Sequence, residues 1–170
     1  MKTYLSILIL AASLSGCAGF KVLEPQGGDR ARLRGIGYRF HIDQNVCGNR
    51  PEFPKGLFLV DKKAVIPFDS YLDRSLGMPL GTGLSEKNWG EMYIQAGQPI
   101  EIIVSHEGHR IPSTWVACGM AIYFTPVKDR DYEAEFFMHE RVKRCRVGVF
   151  DITNGIRIPV PISKEKPECN

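Results

Sequence analysis

The chain has 170 residues, 44% of them hydrophobic, with 22 basic and 19 acidic side chains and a net charge of +3. That length suits one domain with a core able to stand alone. So small a net charge gives no argument for nucleic acid or an acidic substrate as partner.

Lys2 precedes an apolar run from Tyr4 to Ala12, closed by Leu14-Ser15-Gly16-Cys17. A basic start, a short apolar core and small residues at its end are the pattern of a secretory signal. The run is well short of the roughly 20 apolar residues a bilayer span needs. The closing tetrapeptide resembles the lipobox of bacterial lipoproteins. The resemblance implies a signal peptide over 1–16, cut before Cys17, with a diacylglycerol on the Cys17 thiol and an N-acyl chain, palmitate-like, on the new amino terminus. No other cofactor is expected. Two or three acyl chains make release from a membrane slow, where one gives only marginal binding. In enterobacterial-type lipoproteins an Asp after the cysteine marks inner-membrane retention. Ala18 therefore implies the outer membrane, with the domain facing the periplasm. Loss of Lys2 with the signal leaves 21 basic against 19 acidic side chains.

Residues 17–30 hold Pro25, Gly27 and Gly28 without any period and read as a flexible tether. From residue 31 to residue 170 the pattern is one of strands. Ile36, Tyr38, Phe40 and Ile42 alternate with Gly37, Arg39, His41 and Asp43, the period of a half-buried strand. Leu57–Val60 reads as a buried strand with Ala64–Phe68 as its partner, and Asp69–Leu76 as one or two helical turns. Further strands are expected at Glu91–Ile94, Ile100–Ser105, Trp115–Phe124, Tyr132–Met138, Val142–Ile152 and Ile156–Val160. Asn154-Gly155 fits a type I′ hairpin turn. Gly77–Gly90, rich in glycine, is the longest strand-free stretch and reads as a functional or mobile loop. The fold class that follows is all-β: a single β-sandwich of about 7–9 mostly antiparallel strands after a cleaved lipoprotein signal peptide.

Four cysteines remain beyond Cys17. The absence of Cys-x-x-Cys weakens zinc and thioredoxin-like readings, and an even count in an exported chain favours two disulfides. Cys118 shares a strand face with Val116, Met120, Ile122 and Phe124, and Cys145 with Val147 and Val149, so both point inward. This favours Cys118–Cys145 with Cys47–Cys169 over the alternative of Cys145–Cys169 with Cys47–Cys118.

Several short motifs occur in order: Ala31-Arg32-Leu33-Arg34, Leu76-Gly77-Met78-Pro79, Glu91, Ala96-Gly97-Gln98-Pro99, Cys118, Phe124-Thr125-Pro126, Tyr132-Glu133 and Cys145. In that order they resemble a class of small, mostly uncharacterised proteobacterial lipoproteins, over most of residues 31–150. The resemblance implies an anchored β-sandwich with a cysteine pair and no known activity. It departs from the class between Pro126 and Tyr132, where Lys128-Asp129-Arg130-Asp131 replaces the usual glycine. Read physically, Phe124 ends a core strand and Pro126 stops its ladder. Tyr132 restarts the next strand with its hydroxyl in need of a partner. Gly97 and Pro99 make the turn before Ile100.

Chemistry-bearing clusters are few. His106-Glu107-Gly108-His109 follows a strand and reads as a loop where His106 and His109 could share zinc or copper, with His41 or His139-Glu140 reaching in. Solvated histidines are the simpler account. Ser70, Ser85, Ser105 and Ser113 lack a Gly-x-Ser-x-Gly setting, and Glu133 and Glu135, two apart, read as a solvated strand face. Arg141, Lys143, Arg144 and Arg146 read as a solvated edge that discourages aggregation, or else as a contact for anionic lipid. Trp115 and Tyr93 read as core, and Trp89, in the glycine-rich stretch, as a contact surface. The chain thus reads as a non-enzymatic, membrane-anchored envelope lipoprotein with an envelope protein as partner and no nucleic acid. The alternatives are a small ligand- or metal-binding module using residues 106–109, and the anchoring lipoprotein of a secretion system, against which the cysteines argue.

Overall fold

The computed structural model describes residues 22–37, 39–49, 51–53, 55–59, 71–79, 88–111, 114–139 and 144–169. These form eight strands and a two-residue ninth: β1 (Arg30–Ile36), β2 (Arg39–Asp43), β3 (Gly56–Leu59), β4 (Trp89–Gln95), β5 (Ile100–Ile111), β6 (Thr114–Phe124), β7 (Asp131–His139), β8 (Arg144–Asp151) and β9 (Ile158–Pro159). They make a five-stranded sheet, β4-β1-β7-β8-β9, facing a four-stranded sheet, β3-β2-β5-β6. Every pairing is antiparallel except β1 with β7. The chain is an all-β sandwich. Ala64–Phe68 lies outside the described residues, and 71–79 carry no helical turn.

Alternation explains the core. Ala31 and Leu33 of β1, Met92 and Ile94 of β4, Tyr132, Ala134 and Phe136 of β7, and Val147 and Val149 of β8 turn inward from the larger sheet. Phe40, Ile42, Phe58, Ile100, Ile102, Val104, Ile122 and Phe124 meet them from the smaller one. Each such large side chain contributes about 1.5–3 kcal/mol on full burial. Gly35 is the inward position that must stay small, since a Cβ there would sit 2.5 Å from the Phe58 ring.

The single strand expected over 36–42 is two strands. Gly37, at φ 138°, ends β1 and the chain crosses to the other sheet before Arg39. The inward positions change parity across the break, from 31, 33 and 35 in β1 to 40 and 42 in β2, but Ile36, buried on the outer face of β1, carries the apolar alternation on towards Phe40, so sequence period alone does not reveal the break. The turn at Asn154-Gly155 also differs. Gly155 donates its N–H to the Ile152 carbonyl at 2.8 Å, and only Gly155 of the turn has a left-handed φ. A type I′ turn needs positive φ at both central residues, and here the chain instead makes a wider connection from β8 to β9.

Both open sides of the sandwich are closed by segments outside the sheets, 22–30 with 71–74 on one and 160–163 on the other. On the β4/β3 side, residues 22–30, expected as free tether, are docked. Val22 is 2% exposed in the core, its carbonyl accepts from the Tyr71 hydroxyl at 3.2 Å, and Gln44 Nε2 donates to the Leu23 carbonyl at 2.7 Å. The outward N–H groups of edge strand β4 are satisfied there without another strand. Glu91 N–H donates to the Arg74 carbonyl at 3.0 Å, Tyr93 N–H to Glu24 at 2.8 Å and Gln95 N–H to Gln44 Oε1 at 2.6 Å. Unpaired edges template aggregation, and covering them is one remedy.

On the β8/β6 side the C-terminal segment does the same work. Val160 N–H donates to the Val149 carbonyl at 2.9 Å, and Ser163 exchanges two backbone bonds with Tyr123 at the edge of β6. Pro159 and Pro161 fall at alternate positions whose nitrogens face away from β8 and carry no hydrogen to donate. The Cys118–Cys145 pair joins β6 to β8 across the two sheets, and Cys47–Cys169 pins the chain's end beside the loop after β2, with Cα–Cα distances of 6.4 and 5.4 Å. This is the pairing that inward-facing positions favoured.

Candidate functional site

The densest group of chemistry-bearing side chains lies on the outer face of the five-stranded sheet. In β1, alternation that turns Ala31, Leu33 and Gly35 inward puts Arg30, Arg32 and Arg34 outward. In β7 it puts Asp131, Glu133 and Glu135 outward. The parallel register sets Arg32 beside Asp131 and Arg34 beside Glu133, and β4 sets Glu91 opposite Arg34. The basic row of β1 thus lies between the acidic row of β7 and Glu91 of β4, a favourable cross-strand arrangement.

Arg34 is wholly buried and all five of its donors are used. Nε and Nη2 donate to Glu91 Oε1 at 3.0 and 2.6 Å, Nη1 to the Pro79 carbonyl at 2.8 Å and to Glu133 Oε2 at 3.3 Å, and Nη2 also to the Met78 carbonyl at 3.3 Å. The other oxygen of Glu91 accepts from the Leu76 and Met78 N–H groups. Arg32 holds Asp131 in a two-point fork at 2.6 and 2.8 Å and donates to the Leu76 carbonyl at 2.9 Å. Arg157, from the β8–β9 connection, caps the far end. It reaches Glu133 at 2.9 Å and Glu135 at 2.6 Å, with its guanidinium 4.0 Å from the centre of the Phe150 ring. Segment 74–79 lies over the ladder and supplies carbonyls that strands cannot.

Glu133 and Glu135, read from sequence as a solvated face, are therefore buried, at 2% and 3% exposure. Burial of a charge is tolerated only when it is paired and hydrogen-bonded, and the ladder meets that demand. The signal was present in the sequence as two alternating rows of opposite sign. What was missing was that β1 and β7, 99 residues apart at the Arg34–Glu133 bond, are neighbours.

Trp89 is not on a loop. It opens β4, half-buried, opposite Ile36 and 5.6 Å from the Arg34 guanidinium. The rest of the glycine-rich stretch is 77–79, laid over the ladder, 80–87, outside the described residues, and Asn88, whose carbonyl accepts from the Gly37 N–H at 3.0 Å. Nor is 106–109 a loop. It belongs to β5, with His106 opposite Cys118 and His109 opposite Val116, and the register shifts between them. Their side chains, with those of His139 and Glu140, lie outside what is described. His41 stands opposite Ile103, and burial, then Lys55 and Arg39, hold its imidazole below the usual range. Among the described residues no three His, Cys, Asp or Glu side chains gather as metal ligands. Arg144 and Arg146 lie in β8, Arg146 exposed. Arg141 and Lys143 fall outside the described residues, as does Cys17.

The Phe-x-Pro and Tyr-Glu motifs are architectural. The Phe124 and Tyr132 rings meet edge-to-face at 5.3 Å, Gly97 at φ 75° donates to the Pro126 carbonyl at 2.8 Å, and Asp129 takes the left-handed φ of 57° in the turn that lacks glycine. The Tyr132 hydroxyl accepts the Val127 N–H at 2.9 Å, and burial pushes its pKa up. Tyr132→Phe is expected to cost about 1 kcal/mol, read as a lower urea midpoint with an unchanged slope. An unchanged midpoint would show the bond to be idle.

Beside the ladder a cavity of ≈ 220 Å³ is lined by Arg30, Arg32, Tyr93, Asp129 and Arg130. Its guanidinium groups are engaged, Arg30 over Tyr93 at 4.1 Å, Arg32 on Asp131 and Arg130 on Asp151 at 3.4 Å. No protein-family model, curated protein or solved structure matches the chain.

Proposed function

We propose that this chain is an envelope lipoprotein, anchored through Cys17 to the outer membrane on its periplasmic side, that acts by contact with another envelope component and not by catalysis. One observation carries the non-enzymatic part. The richest set of ionisable groups among the described residues is spent on itself. Arg34 has no donor left, and Asp131, Glu91, Glu133 and Glu135 are each held by an arginine. Such groups hold a sheet and its covering segment together, and a general acid or base needs a group free to exchange a proton with a substrate.

Anchoring rests on the basic start, the apolar run and Leu14-Ser15-Gly16-Cys17. The closed sandwich edges suit a durable module outside the cell, where disulfides persist.

Feeding cells a fatty acid with an alkyne handle tests the anchor. The wild-type protein is expected to carry the label and sediment with membranes, and Cys17→Ser to lose both. A wild-type protein that is unlabelled and soluble would overturn the anchored reading. Photo-crosslinking in living cells from Trp89 and from exposed Ile156 tests the contact reading, with one recurrent protein adduct expected and the absence of any protein adduct counting against it.

A further inference from the structure

We infer that the side of the sandwich sealed by the N-terminal segment, between β4 and β3, lies against the phospholipid bilayer, held there by the shortness of the link to the anchor. The inference rests on the lipidation of Cys17 proposed above. An anchored domain on a tether of 17–30 could stand off the membrane and tumble. The packing of Val22 removes that freedom. Val22 is 2% exposed among core side chains, and Leu23, Glu24 and Pro25 after it are fixed in turn. The Leu23 carbonyl accepts from Gln44, the Glu24 carboxylate takes both Arg74 and the Tyr93 N–H, and the Ala96 N–H donates to the Asp29 carbonyl at 3.0 Å.

The chain therefore becomes part of the domain five residues after Cys17. Five residues span at most about 18 Å even when fully extended. The 12-residue β5 alone runs about 40 Å. A link less than half the long dimension of the body cannot carry it clear of the surface. It brings to the bilayer the side from which the link emerges.

The chemistry of that side suits a lipid surface. Leu23, the first residue beyond the buried Val22, is 50% exposed, an apolar side chain beside the anchor. Glu24, the acid nearest the anchor in sequence, is paired with Arg74. Ile156 and Ile158, 68% and 55% exposed, belong to the opposite side, beyond β8, and are turned towards the periplasm.

The test uses the full mature lipoprotein in vesicles of phosphatidylethanolamine and phosphatidylglycerol. A photoreactive phenylalanine analogue replaces Leu23, Gln26 or Ile156 in turn, and thermal melting confirms that each variant folds. Lipid adducts are expected in several-fold excess at positions 23 and 26 over position 156. That excess is expected to vanish when a long Gly–Ser spacer, whose span grows as about 5–6 Å × √n, is inserted between Cys17 and Val22. Equal adducts at all three positions, none at 23 and 26 in protein that floats with the vesicles, or an excess that survives the spacer would each overturn the inference and leave the anchor intact. A Cys17 peptide without acyl mass would instead remove the anchored reading and this inference together.

Discussion

Arg34→Ala is expected to lower stability by about 3–5 kcal/mol, the cost of leaving the buried Glu91 carboxylate without its partner, while Glu133 keeps Arg157. Glu91 and Glu133 are 0% and 2% exposed, and both lose a charged donor at once. The Met78 and Pro79 carbonyls lose theirs as well. A domain of this kind has about 5–15 kcal/mol in all, so the variant should unfold at much lower urea, read by circular dichroism. The reason is the asymmetry of buried charge. Removing one partner is costly, whereas replacing the whole set with neutral groups of similar shape is often close to neutral. Arg34→Met combined with Glu91→Gln and Glu133→Gln should therefore recover much of the loss. A single Arg34→Ala variant as stable as the wild type would show that the ladder does not hold the sheet. Arg32→Ala should cost less, because the Arg32 side chain is 32% exposed and water can replace part of what Asp131 loses.

Gly90→Ala is expected to lift segment 71–79 from the edge of β4. A Cβ at Gly90 would be driven into the Tyr71 backbone carbonyl, with the carbonyl carbon at 2.7 Å and the Tyr71 Cβ at 3.1 Å. Backbone cannot swing aside as a side-chain tip can. Overpacking of this kind costs about 1–3 kcal/mol, and displacement would add the loss of several contacts. Asp73 N–H donates to the Trp89 carbonyl and Glu91 N–H to the Arg74 carbonyl, and the Tyr71 ring meets Phe58 edge-on at 4.9 Å. Beyond Arg74, the carbonyls that satisfy Arg32 and Arg34 would move too. Hydrogen exchange should show 71–79 losing protection while β5 and β6 keep theirs. Unchanged protection over 71–79 would refute the steric account. Gly77→Ala is the informative contrast. Its φ of 76° makes alanine strained, but nothing lies within 4 Å of the added carbon, so the segment should stay docked.

The strands were legible in the sequence because a sandwich buries one face of each, and burial writes a period of two. The turn at Gly97, the end of the ladder at Pro126 and the inward positions of Cys118 and Cys145 follow from local stereochemistry and the same alternation. Three features did not. The break at Gly37 is silent because Ile36, buried on the outer face of β1, continues the apolar alternation of Phe40 and Ile42. The fate of Val22 is silent because the short apolar stretch Val22-Leu23, ahead of Pro25 and two glycines, shows no period, and only the gap between β4 and β3 makes Val22 core.

The ladder is the most instructive of the three. By itself, the row Asp131, Glu133, Glu135 determines that three carboxylates share one face, and solvation is the cheapest home for such a face. Only tertiary structure supplies β1 as a parallel neighbour, segment 74–79 as a cover and Arg157 as a cap, which together satisfy the charges well enough to bury them. Sequence determined the strands, the cysteine chemistry and the export-like start of this chain, because those depend on residue type and local spacing. The fold alone decided which charges meet and where the N-terminal segment docks, because those depend on which distant strands become neighbours.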